Sequence, residues 1–424
     1  MDLSLIIPLL ALLVFLAGGM WIFSALLITA ILLLTVSAGL DPERAGILGS
    51  TVLVRASRSW ELSAIPLFLF MGELLLRGGT AARLFTGLVP VVGRLPGGLL
   101  HINVVGCTLF AAVSGSSTAT TATVGRVSLP QLDQMGYPRM LAIGSLAGAG
   151  SFGLLIPPSI AMIIYGVLSE TSVARLFAAG LVPGLVVAAL YSLYVAFRHP
   201  RASDHSGTWR DTLGLLPVAG LVALVLGAIY LGFASPTEAA AVGVAGALAL
   251  IALEGRLNRA VIYDSLAAAA RLTAVLGAVV IAASVLASAA GMVALPRSFA
   301  AWVTGFELSA GMLLLALAVF YIVLGLFLDG VSILVLTLPV VLPVVQAAGI
   351  DLVWFGVFLV LMIEMGLMTP PVGFNLFVLQ SISGEPVLRI AKAALPFFVI
   401  MGVAVLLFTL FPQIVLFLPD LLYN

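Results

Sequence analysis

A helix-breaking motif written twice constrains this chain more than any other feature. Gly153-Leu154-Leu155-Ile156-Pro157-Pro158 recurs as Gly366-Leu367-Met368-Thr369-Pro370-Pro371, an offset of 213 (153 to 366). These are the only Pro-Pro pairs in the sequence. The same offset carries Leu129-Pro130 and Gly136 onto Leu342-Pro343 and Gly349, and Gly78 onto Gly291. Most other positions at this offset differ. What repeats is the set of glycines and prolines that interrupt helices. A duplicated break inside very apolar segments points to the binding site of a secondary transporter.

The surroundings of the motif place it in a lipid bilayer. The 424 residues are 62% hydrophobic and 8% charged, too little charge to cover a soluble domain of that size. The formal net charge is zero, so no nucleic-acid or other polyanion partner is indicated. Cys107 is the single cysteine, which rules out an intrachain disulfide. Met1 to Gly19 has no basic residue, so this stretch reads as a first spanning helix rather than a cleavable leader.

A span needs about 20 apolar residues. Ten segments approach this: 3–19, 21–39, 62–77, 141–168, 176–197, 213–233, 238–253, 272–294, 352–380 and 393–419. Two more apolar regions are broken in the middle. The region 99–135 is interrupted at Ser114-Gly115-Ser116-Ser117, and 308–349 at Asp329-Gly330 and again at Pro339 and Pro343. Each reads as a re-entrant helical hairpin, whose tip must be buried in protein or line a watery cavity. The expected fold class is an all-α polytopic membrane protein with two repeats, each of about five transmembrane helices plus one hairpin. A hairpin leaves on the side it entered and five is odd, so the second repeat is inverted relative to the first. The first repeat covers 1–197 and the second 212–424, joined by a polar linker at 198–211.

Charge orients the chain. With the N-terminus outside, the inside receives Arg77, Arg83, Arg94, Arg139, Arg198, Arg201, Arg210, Arg256, Arg259, Arg271, Arg389 and Lys392. The outside receives Arg44, Arg55, Arg58, Arg175 and Arg297. This asymmetry follows the positive-inside rule and makes the linker cytoplasmic. Segments 79–97 and 295–307, just before the hairpins, read either as interfacial arm helices or as ordinary loops.

Enzyme signatures are missing. His101, His199 and His205 form no metal pattern, and no nucleophile elbow or P-loop occurs. Ion chemistry fits better. A broken helix frees carbonyls at the end of one half and amides at the start of the next. The first break offers the Ser114 and Ser117 hydroxyls and the carbonyls from Gly153 to Pro158. The second offers the backbone at Gly330, the Thr369 hydroxyl and the carbonyls from Gly366 to Val372. Such oxygens suit Na⁺, and the amide ends suit a carboxylate. Glu73, Asp329 and Glu364 are the clearest acids in apolar surroundings, and a carboxylate at membrane depth is a functional candidate. Asp329 either serves the second tip chemically or caps the following helix. Glu73 and Glu364 are either proton relays or buried groups hydrogen-bonded to neighbouring helices. Asn375 either contacts substrate or locks a helix pair.

Ile65-Pro66-Leu67-Phe68, Gly72-Glu73, Ser114-Gly115-Ser116-Ser117, Gly136-Tyr137, Gly153-Leu154-Leu155-Ile156-Pro157-Pro158-Ser159 and Thr369-Pro370-Pro371-Val372-Gly373 together resemble the large membrane (M) subunit of tripartite ATP-independent periplasmic (TRAP) transporters. The resemblance runs over nearly the whole chain. It implies an elevator-type ion-transporter fold in the bacterial inner membrane and Na⁺-driven import of a small organic acid, such as a dicarboxylate or sialic acid. It also implies two partners: a small four-helix membrane subunit (Q type) and a periplasmic substrate-binding protein (P type). Carried over by residue, a first Na⁺ site would use Ser114, Ser117, Gly153, Ile156 and Pro158. A second would use Gly330, Gly366, Thr369 and Val372. Ser116 at the tip would face substrate, with Ser159 and Asn375 as further substrate-binding candidates. Arg126 matches no motif position; it would either add a cation for an anionic substrate or reach the cytoplasmic interface. The outer loops near 40–60, 169–175 and 295–307, which carry Arg44, Arg55, Arg58, Arg175 and Arg297, would receive the binding protein.

Two other functions remain open at this point. One is a self-sufficient carrier of the divalent-anion/Na⁺ symporter type. The other is a membrane scaffold or channel subunit without coupled transport. Neighbouring genes for a small membrane protein and a periplasmic binding protein would separate these from the tripartite reading.

Overall fold

A computed structural model describes residues 3–199, 208–295, 298, 301, 305, 309–371 and 373–423. Every regular element among them is helical. In a bilayer this is the expected solution, because a helix satisfies its backbone groups internally. The exterior is studded with large apolar side chains, among them Leu193, Phe197, Leu253 and Leu410, each at least 65% exposed. A surface of that kind suits contact with lipid.

The first half begins with α1 (Leu3–Ala17) and α2 (Ile22–Leu32), the latter ending in a π-helical turn, then α3 (Pro42–Ser57) and α4 (Ala64–Arg77). Next come α5 (Thr80–Val92), α6 (His101–Ser114), α7 (Ser117–Gln134), α8 (Arg139–Gly150), α9 (Ile160–Ser169) and α10 (Val173–Arg198). A short α11 (Trp209–Leu213) leads into the second half: α12 (Leu216–Tyr230), α13 (Pro236–Leu253) and α14 (Arg259–Met292). Then follow α15 (Ala310–Gly325), α16 (Gly330–Ala347), α17 (Leu352–Leu367), α18 (Phe374–Ser383), α19 (Val387–Leu410) and α20 (Gln413–Tyr423). The offset of 213 recurs in these bounds. It carries 3–17 onto 216–230 and 117–134 onto 330–347, and the start of α8 at 139 onto the start of α17 at 352.

Among the described residues six helices are long and apolar enough to cross a membrane, and seven if the bent α3–α4 pair is one span. They are α10, the stretch Asp211–Tyr230, α13, α14, α16 and α19. The other expected spans consist of shorter apolar helices. Two of these, 141–168 and 352–380, are interrupted at the Pro-Pro motifs, where both Pro–Pro bonds are cis.

Four boundaries differ from the sequence reading. First, 393–419 is two helices, because Phe411 precedes Pro412 and takes φ −127°, ψ 72°, outside the helical region. Second, Pro339 and Pro343 do not interrupt 308–349; α16 runs through both, as buried helices tolerate where neighbours compensate the lost bond. Third, the 40–60 segment is mostly α3, started by Asp41, whose carboxylate accepts the Arg44 N–H at 2.9 Å, with Pro42 at the first position. It packs on α14. Fourth, α14 starts at Arg259, well before 272, because Asn258 caps it. The segment 79–97 contains a helix, α5; most of 295–307, including Arg297, lies outside the described residues, as do positions 200–207 of the linker.

Helices α2, α3 and α4 gather around α14, with α13 on α4 and α12 on α13. Against this group stand the two hairpins, α6–α7 and α15–α16, and the two interrupted pairs, α8–α9 and α17–α18. Ion pairs between distant segments join groups that the sequence assigns to one side of the membrane. Arg83 pairs with Glu254, Arg139 with Asp133 and with Glu385 at 3.3 Å, and Arg175 with Asp420 at 3.4 Å.

Candidate functional site

The first hairpin turns at Gly115, which takes φ 60° as the C-cap of α6. That left-handed conformation suits glycine. Ser116 then caps α7 by accepting the Ala119 N–H. The tip is pressed onto the first Pro-Pro break. A Cβ on Gly153 would lie 2.3 Å from the Ser116 carbonyl carbon and 2.4 Å from the Ser117 nitrogen. A Cβ on Gly115 would lie 3.0 Å from the Pro158 carbonyl oxygen. The motif glycine is therefore required for two backbones to touch.

This docking brings the expected first-site residues together. Ser114 is buried, and its hydroxyl is 2.8 Å from that of Thr120. Ser117 is buried; its hydroxyl donates to Glu364 and lies 3.5 Å from the Ser151 carbonyl. Ile156 and Pro158 are buried in the break. Ser159 is fully buried and caps α9: its hydroxyl donates to the Leu154 carbonyl and accepts the Met162 N–H.

The second half is docked differently. Gly330 is buried against Leu154, Ile363 and Leu367. Gly366 faces the end of α15, where an added Cβ would lie 2.7 Å from the Gly325 Cα. By the offset, Gly366 corresponds to Gly153, yet Gly153 meets the tip itself. The Thr369 hydroxyl donates to the Met365 carbonyl at 2.8 Å. Val372 lies outside the described residues. Asn375 is fully buried, with neither polar atom partnered in the structure, on the helix that packs against α7. It stands away from the cavity described next.

Both tips open into one cavity of about 190 Å³. Its walls are Gly72 and Glu73 of α4, Ser114 to Ser116 and Ala119 of the first hairpin, Leu272 and Leu276 of α14, and Asp329 of the second hairpin. Asp329 caps α16: its carboxylate accepts the Val331 and Ser332 N–H groups and the Ser332 hydroxyl. Glu73 pairs with Arg77 on its own helix at 3.1 Å, so its partner is not a neighbouring helix. Arg126 is exposed on α7 and does not line this cavity.

Sequence reasoning missed the intimate partners: Thr120, Ser151 and Gly325. Gly325 lies in an unbroken apolar run, and Thr120 and Ser151 sit in motifs whose folding direction is invisible in one dimension. A hint existed for Ser151, which the offset of 213 places opposite Glu364.

Comparison with known proteins gives a consistent result. The family model described as "Tripartite ATP-independent periplasmic transporter, DctM component" matches residues 9–414. A C4-dicarboxylate TRAP transporter large permease protein, DctM, of Pseudomonas aeruginosa is 35% identical over 384 residues, covering 87% of this chain and 88% of that one. An ectoine/5-hydroxyectoine TRAP transporter large permease protein of Ruegeria pomeroyi is 33% identical, covering 87% and 88%. The sialic acid TRAP transporter permease protein SiaT of Haemophilus influenzae is 30% identical and longer, with 61% of its length matched. Among solved structures, the Alcanivorax borkumensis YdaH transporter superposes with a TM-score of 0.67 over 96% of this chain and 99% of that one, at 15% identity. That likeness shows the fold alone.

Proposed function

Because the chain belongs to the family of DctM components of tripartite ATP-independent periplasmic transporters, and is thus a multi-pass transporter permease and not an enzyme, we propose that it performs Na⁺-coupled secondary active import of a small organic acid. In this reading it sits in a bacterial inner membrane with its N-terminus outside. It works with a small Q-type membrane subunit and receives substrate from a P-type periplasmic binding protein. The two halves are inverted repeats, and the hairpins with their interrupted helices move as an elevator against the group around α14.

The observation that carries this proposal is the cavity where both tips meet α4 and α14. A site between a moving part and a fixed part must be built from both, and a lining drawn from both tips, α4 and α14 supports that reading. Its lining includes no basic side chain. The amides at the start of α16 are already taken by Asp329, so a substrate carboxylate would be received by the amide end of α7, where the helix dipole favours negative charge. Na⁺ would be held by neutral oxygens near the tips. The donor set fits a hard cation: Ser114 and Ser117 hydroxyls with the Ser151 and Pro158 carbonyls at the first break, and the Thr369 hydroxyl with backbone carbonyls at the second. Bound Na⁺ would supply fixed positive charge that ties each tip to its break.

Reconstitution of the chain with its small subunit in liposomes tests this. With a substrate-loaded binding protein outside, an inward Na⁺ gradient should drive accumulation of labelled organic acid. Equal uptake on a proton gradient without Na⁺ would refute Na⁺ coupling. Robust uptake of free substrate by the chain alone would favour a self-sufficient symporter.

A further inference from the structure

Glu364 is fully buried on α17, a helix whose every residue from Val353 to Leu367 is buried. Its Oε1 accepts the Ser117 hydroxyl, across 247 positions of sequence. Its Oε2 makes no hydrogen bond of regular geometry among the described residues, and the Leu154 backbone N–H is the other donor facing the carboxyl group. Among the described residues no charged side chain faces it; the neighbouring titratable group is Tyr191 of α10, whose buried hydroxyl lies towards Ser151. A carboxyl group in such surroundings is either protonated or matched by a counter-charge.

We propose that Glu364 supplies a charged ligand to the first Na⁺ site, so that a residue of the second half completes a site built by the first. This inference rests on the Na⁺ reading of the Ser114–Ser117 tip given above. The Glu364 Oε1, the Ser117 hydroxyl and the Ser151 carbonyl, 3.5 Å from that hydroxyl, lie together in the buried interior. A serine hydroxyl that donates to Oε1 keeps lone pairs for a cation. Carboxylate, hydroxyl and carbonyl oxygens are the ligands a hard cation takes. One buried negative charge added to the neutral oxygens strengthens the site and biases it toward a cation. The same arrangement fixes the first hairpin to α17, so that Na⁺ occupancy would be felt by both halves at once.

The full chain in nanodiscs provides the test, with ²²Na⁺ binding as the readout. Glu364→Gln preserves shape and removes the charge; it should raise the Na⁺ concentration for half-saturation at least tenfold. Glu364→Asp keeps the charge and should cost less, as should Ser114→Ala. An independent measurement needs no variant. With ¹³C-labelled glutamate, the infrared difference spectrum between Na⁺ and K⁺ should contain glutamate carboxylate bands. Wild-type Na⁺ affinity in Glu364→Gln, or a Na⁺-induced spectrum of the wild-type chain without such bands, overturns the inference and leaves the Na⁺ reading standing. Absence of saturable Na⁺ binding in the wild-type chain overturns both.

Discussion

At Gly153 a hydrogen stands where any other residue would place a carbon 2.3 Å from the Ser116 backbone. The neighbouring atoms are main chain and cannot rotate away. Gly153→Ala should therefore lift the first tip off its break and cost on the order of 1–3 kcal/mol, the range of overpacked interiors. Gly220, exposed in α12 with nothing within 4 Å of an added Cβ, is the control. There alanine should hold or raise stability, because it is the better helix former. Thermal unfolding in detergent checks both; equal behaviour of the two variants would refute the tight docking. The importance of Gly153 was legible in the sequence because its motif occurs twice. For Glu364 the sequence offered a proton relay or a buried group bonded to a neighbouring helix; the structure shows such a bond, but its partner Ser117 was not legible because only the folded chain brings the two together. Asp329 is an intermediate case: the sequence offered chemistry or capping, and the structure shows a cap at the cavity wall.

Helix α4 meets the first hairpin through Gly72, where a Cβ would lie 3.1 Å from the Val113 carbonyl and 3.3 Å from the Ser114 Cα. If the hairpin slides along α4, this smooth contact is part of the track. Gly72→Leu would press on Ser114 and fill the cavity, so it should stop transport and also weaken Na⁺ binding by the chain. Uptake and ²²Na⁺ binding measured on one preparation check this; wild-type uptake would show that the surface does not slide. At the scale of elements, the first hairpin and the interrupted helices were readable from Gly, Ser and Pro positions. Other features were not. An amphipathic helix such as α3 carries too much polarity for a span, so apolar-run counting passes over it. The proline-containing α16 shows the converse error, because buried neighbours decide whether proline breaks a helix.

For the whole molecule, the central question is which surfaces face which solution. The ion pairs join Arg83 with Glu254, Arg139 with Glu385, and Arg175 with Asp420. The proposed orientation, taken from the positive-inside rule, would put Arg83, Glu254, Arg139 and Glu385 on the cytoplasmic side and Arg175 and Asp420 on the outside. In a Cys107→Ala background, an impermeant thiol reagent added from the periplasm should modify a cysteine placed at Asn424 and miss one placed at Ser206. The opposite pattern would reverse the orientation and exchange the sides from which the hairpins enter.

The most direct test of the account concerns the shared cavity itself. Ala119 lines it from the first hairpin. An Ala119→Cys variant in the Cys107→Ala background should react with an impermeant thiol reagent in both right-side-out and inside-out vesicles. Substrate together with Na⁺ should slow that reaction. Such a result is predicted if the cavity holds substrate and is carried from one side to the other. Reaction from one side alone under every combination of Na⁺ and substrate, with no protection, would contradict it.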